Sequence, residues 1–434
     1  MKVCVALSLL VLLGVSSALG QTFSEFPVPS TGEPHPAGIT AGPDGNLWFT
    51  LQTTPADPYV CRITPEGVIT QFPIPTVPAG AKQITTGPDG NLWFTEVIGN
   101  HVSRVTTSGS VTEFPIPTIL SEPDGIATGP DGSLWFTESS GNRVGRITTS
   151  GVITEFVIPG FSVPAGIVAG PDGALWFADP HNNRIVRITT AGAITAFPIP
   201  TLNAGPLSIT VGPDGALWFT EFSANNIGRM TTAGAFTEFP VSTPGSQPYG
   251  IAAGLDGNLY FTESTGNKIG RITTSGIITE FPIPTAASGP QGIAWGPDGA
   301  IWFTEFHGGK IGRMSIGPLT CEPDATTMCL NGGRFRVTAE WRSLTASGTG
   351  AAVALTNDSG YFWFFAASNI EVLVKTLDGC GLNSRYWVFA AGLTDVEVTL
   401  RVLDTRSGGQ RTYVNPRGIA FQPIQDTSAF AACP

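Results

Sequence analysis

Short runs in which apolar and polar residues alternate follow one another along most of this chain, separated by glycine-rich turns. One group serves as the type. Gly125-Ile126-Ala127-Thr128 reads as a short strand and Gly129-Pro130-Asp131-Gly132 as a tight turn. In that turn proline presets φ, aspartate bonds back to the backbone and glycine accepts a positive φ. Residues 133–138 read as a second strand, 139–142 as a loop, 143–148 as a third strand, Thr149-Ser150-Gly151 as a turn and 152–159 as a fourth strand. The group predicts one four-stranded antiparallel sheet.

The phrase Gly-Pro-Asp-Gly-Asn-Leu-Trp-Phe-Thr, or a close variant, begins at Gly42, Gly87, Gly129, Gly170, Gly212, Gly254 and Gly296. The sixth copy departs most, with Leu255 for proline and Tyr260 for tryptophan. Four strands per copy, at a period of roughly 40–45 residues, mark the blades of a β-propeller. The seventh copy stops after three strands near Ser315, and residues 23–29 have the pattern of the missing outer strand. The expected architecture is therefore all-β: a seven-bladed propeller over residues 21–316, closed by its N-terminal strand. Phe-Pro-Ile-Pro, as at Phe114-Pro115-Ile116-Pro117, belongs on the outermost strand, because proline cannot donate to a ladder and blocks edge-to-edge pairing. An arginine recurs in the third strands (Arg62, Arg104, Arg146, Arg187, Arg229, Arg271, Arg313) and a glutamate in most fourth strands (Glu25, Glu113, Glu155, Glu238, Glu280). Their adjacency predicts cross-strand ion pairs. The tryptophans are expected to pack between blades.

Beyond Ser315 the repeat gives way to strand patterns at 333–342, 351–356, 361–366, 371–377, 385–391, 396–403 and 411–415. Short strands at this spacing predict a β-sandwich over residues 317–434. The run Tyr361-Phe362-Trp363-Phe364-Phe365 reads as a buried strand with apolar residues on both faces, in preference to a sugar-stacking platform.

Composition narrows the setting. The chain has 434 residues, 13% of them charged, and a formal net charge of −11. This balance argues against nucleic-acid partners, which need Lys and Arg to neutralise phosphates. Lys2, the apolar run 3–15 and Ala18-Leu19-Gly20 read as a signal peptide over residues 1–20, so a secreted or periplasmic location is expected. No later stretch is long and apolar enough to span a bilayer. Cys61 stands alone in the repeats and reads as a buried thiol. Cys321, Cys329, Cys380 and Cys433 fall in the last quarter and predict two disulfides, with Cys321–Cys329 and Cys380–Cys433 favoured among three pairings. Metal binding by these four is the rival reading, although their spacing lacks the paired knuckles of zinc sites.

Candidate chemistry gathers on the face opposite the Gly-Pro-Asp-Gly turns, where the loops are longer and more varied. An acid follows the Trp-Phe-Thr strand in six copies, at Glu96, Glu138, Asp179, Glu221, Glu263 and Glu305, with Leu51 as the exception. Alternation predicts that all six reach one face around the axis, where like charges need a cation or a donor among them. His35, His101, His181 and His307 lie in loops of the same face. Asp179-Pro180-His181 and Glu305-Phe306-His307 pair an acid with an imidazole, as a metal site or proton relay requires.

The motif Gly-Ile-x-x-Gly-Pro-Asp-Gly-x-Leu-Trp-Phe-Thr-Glu, followed by Asn-Arg-Ile-Gly-Arg-Ile-Thr-Thr, resembles the virginiamycin B lyase (streptogramin lyase) family over roughly residues 22–316. The C-terminal segment is outside that resemblance. The resemblance implies a seven-bladed propeller that opens a cyclic depsipeptide by elimination. A histidine removes a carbon-bound proton, and Mg²⁺ held by two glutamates stabilises the resulting charge. The family's Glu-Pro-His-Gly-Ile is matched here by Glu122-Pro123-Asp124-Gly125-Ile126, followed by Glu138. Glu122 and Glu138 are thereby implied as Mg²⁺ ligands, and Asp124 stands where the family has its base. The other copies hold Ala37, Lys82, Ala165, Leu207, Tyr249 and Gln291 at that position, and Glu33-Pro34-His35 is shifted from it by two residues. A carboxylate is a weaker base than an imidazole, and a neighbouring divalent cation weakens it further. Two readings result: a lyase-like enzyme with a cation at Glu122, Asp124 and Glu138, or a non-catalytic extracellular binding protein. A lactonase-type hydrolase using several face acids on one metal is a third. The partner expected is a small-molecule or peptide-like ligand, bound by a monomer, with Tyr249, His181 and His307 on the binding face.

Overall fold

The computed structural model describes residues 21–30, 32–52, 58–316, 321–405 and 410–430. The expected signal peptide and Cys433 lie outside these residues. The described residues are all-β apart from one short helical turn, Cys380–Asn383. Among the described residues there are seven four-stranded antiparallel sheets and two five-stranded ones. Six four-stranded sheets are consecutive in sequence, within residues 35–73, 81–115, 123–157, 167–198, 206–240 and 248–282. The seventh takes Pro290–Trp295, Ile301–Glu305 and Lys310–Ser315 from the end of the repeats and Thr22–Pro27 from the N-terminus. Thr22 pairs with Ser315 and Pro27 with Lys310.

The repeated phrase forms one bonded unit per sheet. In the third, the Asp131 carboxylate accepts from Trp135 Nε1 at 3.0 Å through one oxygen and from Arg146 Nε at 2.6 Å through the other. Burial opposes ionisation of Asp131, but these bonds outweigh it and hold the carboxyl below its usual range. Trp135 is fully buried, stacks on Phe156 of its own sheet and shares a cluster with Ile167, Leu175 and Phe177 of the next. In the sixth sheet, where tyrosine replaces tryptophan, Tyr260 donates its hydroxyl to Asp256 at 2.7 Å.

The predicted arginine–glutamate pairs do not form, because register separates them. Arg146 pairs across the ladder with Thr154, whereas Glu155 stands opposite Gly145, so the two charges lie on opposite faces of the sheet. Six of the seven arginines take the turn aspartates instead, Arg271 being the exception. The five glutamates tie their sheets to the preceding ones: Thr118 N donates to Glu155 at 3.0 Å, and Thr285 N to Glu25 at 2.9 Å.

The innermost strands are joined by threonine. Thr137 Oγ1 accepts from Gly125 N in its own sheet at 2.9 Å and donates to Ala165 O in the next at 2.6 Å. Equivalent bridges run from Thr50 to Lys82 O, Thr95 to Asp124 O, Thr220 to Tyr249 O and Thr262 to Gln291 O. Thr304 carries the pattern from the seventh sheet back to Ala37 O of the first at 2.8 Å. The fourth sheet has Ala178 in this place, and its inner strand shortens to Ile167–Ala169 with backbone bonds alone, including Gly166 N to Leu207 O at 2.9 Å. The close approach also explains Gly125. A Cβ there would stand 2.7 Å from Ala165 O.

Residues 321–430 form two sheets around one hydrophobic cluster that includes Phe335, Phe362, Val374, Val388, Leu400 and Phe430. Strands Thr327–Leu330, Ser347–Thr349 and Ile424–Phe430 add to those read from the pattern. In the aromatic run, Phe362 and Phe364 are buried while Phe365 is 55% exposed, so the run is one-sided where two buried apolar faces were expected. Cys321 and Cys329 form a disulfide, and Cys380 is also disulfide-bonded. Cys61 is buried and free.

The bridge from Thr304 to the first sheet leads to a prediction. Thr304→Val leaves Gly292 N–H and Ala37 C=O without their partner and should lower stability by about 1–3 kcal/mol. Urea denaturation followed by tryptophan fluorescence measures this, and an unchanged midpoint would show that the bridge does not hold the sheets.

Candidate functional site

The threonine bridges set what faces the centre. In six sheets the first two strands slip register just ahead of the bridged glycine or its equivalent, as between Pro123 and Ile126. This bulge inserts Ala37, Lys82, Asp124, Leu207, Tyr249 or Gln291, and a threonine bridge holds the carbonyl of each except Leu207, which accepts from Gly166 N instead. A cavity of about 160 Å³ is lined by the innermost strands of all seven sheets, including Ile39, Gln83, Ile126, Ile167, Ile209, Ile251 and Ile293. Contact with every sheet places it at the centre. Asp124, Ala165, Leu207, Tyr249 and Gln291 line it as well.

Charge at this cavity is concentrated on neighbouring sheets. Lys82 Nζ lies 2.9 Å from Asp124 Oδ2, and the two side chains are 28% and 17% exposed. Burial acts to lower the Lys82 pKa, but Asp124, with smaller effects from Tyr249 and Glu122, holds it above the ordinary lysine value. The Tyr249 hydroxyl is raised by burial and by Asp124, against the pull of Lys82. Tyr249 also makes an edge contact with Phe222, at 6.2 Å between centroids. Glu122 is exposed and adopts φ +50° where the second, fifth and seventh sheets have Gly80, Gly205 and Gly289. Its Oε2 accepts from Ser140 Oγ at 2.7 Å. The sixth sheet likewise has a non-glycine residue there, Gln247 at φ +54°, so this backbone conformation belongs to the repeat.

The acids that follow the second strands occupy a different place. Glu96, Glu138, Asp179, Glu221, Glu263 and Glu305 are all fully buried, and none lines the central cavity. Each lies inside its own sheet, beside the first residue of the third strand and, in five cases, the fourth-strand glutamate. Burial pushes Glu96, Glu221, Glu263 and Glu305 up to about 7. Glu138 is pushed to about 8 by burial and by Glu155, with Arg143 opposing. Asp179 is the exception. Asn182, Ser162 and Arg184 overcome its burial and lower it, with Arg184 Nε 2.7 Å from Oδ2.

Glu138 starts beside the cavity, since its backbone pairs with Pro123, but its carboxylate turns into the sheet among Ser121, Arg143 and Glu155. Among the described residues, Glu122, Asp124 and Glu138 do not form a group of three mutually close donors. His35 and His307 are neighbours, 6.4 Å between ring centroids, while His101 and His181 belong to the second and fourth sheets. His35 bonds Phe306 O at 2.9 Å, His307 packs edge-on to Phe306, His181 packs on Phe161, and His101 lies 3.5 Å from Glu96. Sequence reading placed Lys82 at a base-equivalent position without giving it a role. The signal was its charge, opposite to that of Asp124 in the next copy.

Four-stranded antiparallel sheets arrayed about a central cavity, with variable residues held there by bulges, define a β-propeller that carries its polar site at the axis. The chain belongs to the virginiamycin B lyase family, whose sequence model matches residues 14–163 and 159–321. It is similar to virginiamycin B lyase from Staphylococcus aureus, at 42% identity over 68% of this chain and 99% of that one, with a TM-score of 0.64. A streptogramin B lyase structure matches at 38% identity over 68% of this chain and 97% of that one, also at 0.64. So does a catalytically inactive histidine-to-alanine variant of the S. aureus enzyme solved with quinupristin, at 41% identity over 68% and 99% of the two chains, again at 0.64. A search of the curated proteins found no match.

The buried acids generate a pH prediction. Their folded-state values lie above the usual 4.5, so between about pH 4.5 and 8 the folded chain holds protons that the unfolded chain releases. Their stabilising contribution is complete below the unfolded value and is lost as pH rises through the folded one. The Tm should therefore fall from pH 5 to pH 8, and Glu138→Gln should flatten the fall. A Tm that rises steadily across this window would contradict the assignment.

Proposed function

We propose that this chain is a ligand-binding propeller whose axial mouth, around Lys82, Asp124 and Tyr249, recognises a small or peptide-like molecule without opening it by the family's elimination. The ion pair between Lys82 and Asp124 carries the reading. Asp124 stands at the position of the family's base, and its carboxylate is already engaged by an ammonium group from the neighbouring sheet. A base in proton abstraction needs a free lone pair aimed at the substrate carbon. The pair instead offers a cation, an anion and a phenol hydroxyl in one place, a donor and acceptor set suited to an amide or carboxylate ligand. A cavity of about 160 Å³ is too small to engulf a cyclic depsipeptide, so such a ligand lies across the mouth.

The Mg²⁺ implied by the family fits these residues poorly. Burial and Glu155 favour the protonated form of Glu138 near neutrality, and Lys82 adds a positive charge next to Asp124 and Glu122. The lyase reading keeps one specific support: Glu138 pairs with Pro123, the residue next to Glu122, so the two acids that the resemblance implies as ligands stand on adjoining backbone.

We further infer that the seven four-stranded sheets form a closed seven-bladed propeller, sealed by Thr22–Pro27 and by the Thr304 bridge. The chain is read as an exported monomer with a second disulfide from Cys380 to Cys433. The disulfide at Cys321 and Cys329 supports export. Among the described residues no helix is long and apolar enough to cross a membrane.

Quinupristin with Mg²⁺ separates the two functional readings. The wild-type chain should leave it intact by mass spectrometry, while titration detects binding that weakens at least tenfold in Lys82→Ala. Ring opening that disappears in Glu122→Gln would establish the lyase reading in its place.

A further inference from the structure

The second sheet differs from its neighbours at one buried point. In the sixth and seventh sheets a lysine opens the third strand and binds the fourth-strand glutamate: Lys268 Nζ to Glu280 at 2.7 Å and Lys310 Nζ to Glu25 at 3.0 Å. The third sheet has Arg143 there, and the fifth has Asn226, which donates to Glu221 at 2.9 Å. The first sheet has neither of these two acids, with Leu51, Tyr59 and Gln71 at the corresponding places. Thus a buried carboxylate and a half-buried one are accompanied by a cation in the third, sixth and seventh sheets and by an amide donor in the fifth, and where both acids are absent the cation is absent too. The second sheet keeps both acids, Glu96 and Glu113, and puts His101 between them.

The donor atoms of Glu96, His101 and Glu113 all lie within 4.8 Å of one another. Glu96 is fully buried and its Oε2 has no hydrogen-bond partner; His101 Nδ1, 3.5 Å away, has none either. A Cβ at Gly99 would stand 2.7 Å from that oxygen and 3.2 Å from that nitrogen, so glycine leaves the space beside them clear. The other Glu96 oxygen is held by the Ser103 hydroxyl, where the third, fifth, sixth and seventh sheets have glycine. Glu113 Oε1 accepts from Thr76 N at 2.8 Å, which fixes its carboxylate. The outer groups thus orient two carboxylates, as partners of metal ligands do.

We propose that Glu96, His101 and Glu113 bind a divalent transition-metal ion, with Zn²⁺ the fitting probe. One imidazole and two carboxylates form a three-ligand set that leaves a fourth position to water. Metal–donor distances of about 2.0–2.2 Å set tetrahedral donors roughly 3.3–3.6 Å apart, so the Glu96–His101 separation needs no change. The ion would supply the positive charge that lysine or arginine supplies in the neighbouring sheets. It lies inside a sheet, away from the axial mouth, and its part is to hold the second sheet together. An imidazole donor disfavours Mg²⁺, which keeps its waters and prefers oxygen.

Isothermal titration of the metal-stripped, tag-free chain with Zn²⁺ tests the site. Wild type should bind one Zn²⁺ that His101→Lys does not, and Ser103→Gly should weaken it roughly 10–100-fold. His101→Lys copies the residue of the sixth and seventh sheets and should keep the circular dichroism of wild type. If that variant does not fold, His101→Asn copies the fifth sheet and replaces it. No Zn²⁺ binding by wild type, or equal binding by a folded His101 variant, overturns the proposal.

Discussion

The threonine hydroxyl at the end of the Trp-Phe-Thr strand is the constraint on which the arrangement of this molecule depends. It accepts from a backbone N–H of its own inner strand and donates to a backbone C=O of the next, so one side chain both fixes a bulge and joins two sheets. Both backbone groups are buried from solvent by the packing of the sheets, where a missing partner is costly. The same bond needs close approach, which glycine provides at positions such as Gly125. The fourth sheet shows the consequence of losing the hydroxyl: with Ala178, its first strand is reduced to three residues.

This bond also separates scaffold from specificity. The carbonyl it binds belongs to a residue whose side chain is free to vary, so Ala37, Lys82, Asp124, Ala165, Tyr249 and Gln291 share one backbone bond while differing in chemistry. A position of this kind can change its side chain without disturbing the fold. In this chain a lysine and an aspartate stand there on adjacent sheets and neutralise each other. The buried acids follow another rule. They sit within their sheets and answer to the cation or proton available there, so the two sets of charges serve different ends.

Much of the fold was legible because each blade repeats its own instructions. Turn chemistry at Gly129-Pro130-Asp131-Gly132, alternation and edge prolines located the strands, and the truncated seventh copy pointed to Thr22–Pro27 as its partner. The predicted pairing of Arg146 with Glu155 failed because neighbouring residues in a strand face opposite sides, and the true partner of Arg146, Asp131, is fifteen residues away across a turn. The six acids after the second strands were expected around the axis. Alternation gives the side of a strand on which a residue lies, but not whether that side meets the cavity or the neighbouring strand of its own sheet. Lys82 and Asp124 were each visible in the motif, while their meeting depended on the distance between inner strands of adjacent sheets.

The central claim is that Lys82 and Asp124, on different sheets, act as one charge pair at the axis. A double-mutant cycle with Lys82→Met, Asp124→Asn and the double variant, followed by urea denaturation, measures their coupling directly. The account predicts a coupling energy of at least about 1 kcal/mol, with the double variant more stable than the sum of the single losses implies. Additive effects, with coupling near zero, would mean that the two charges act independently and that Asp124 is free for other chemistry.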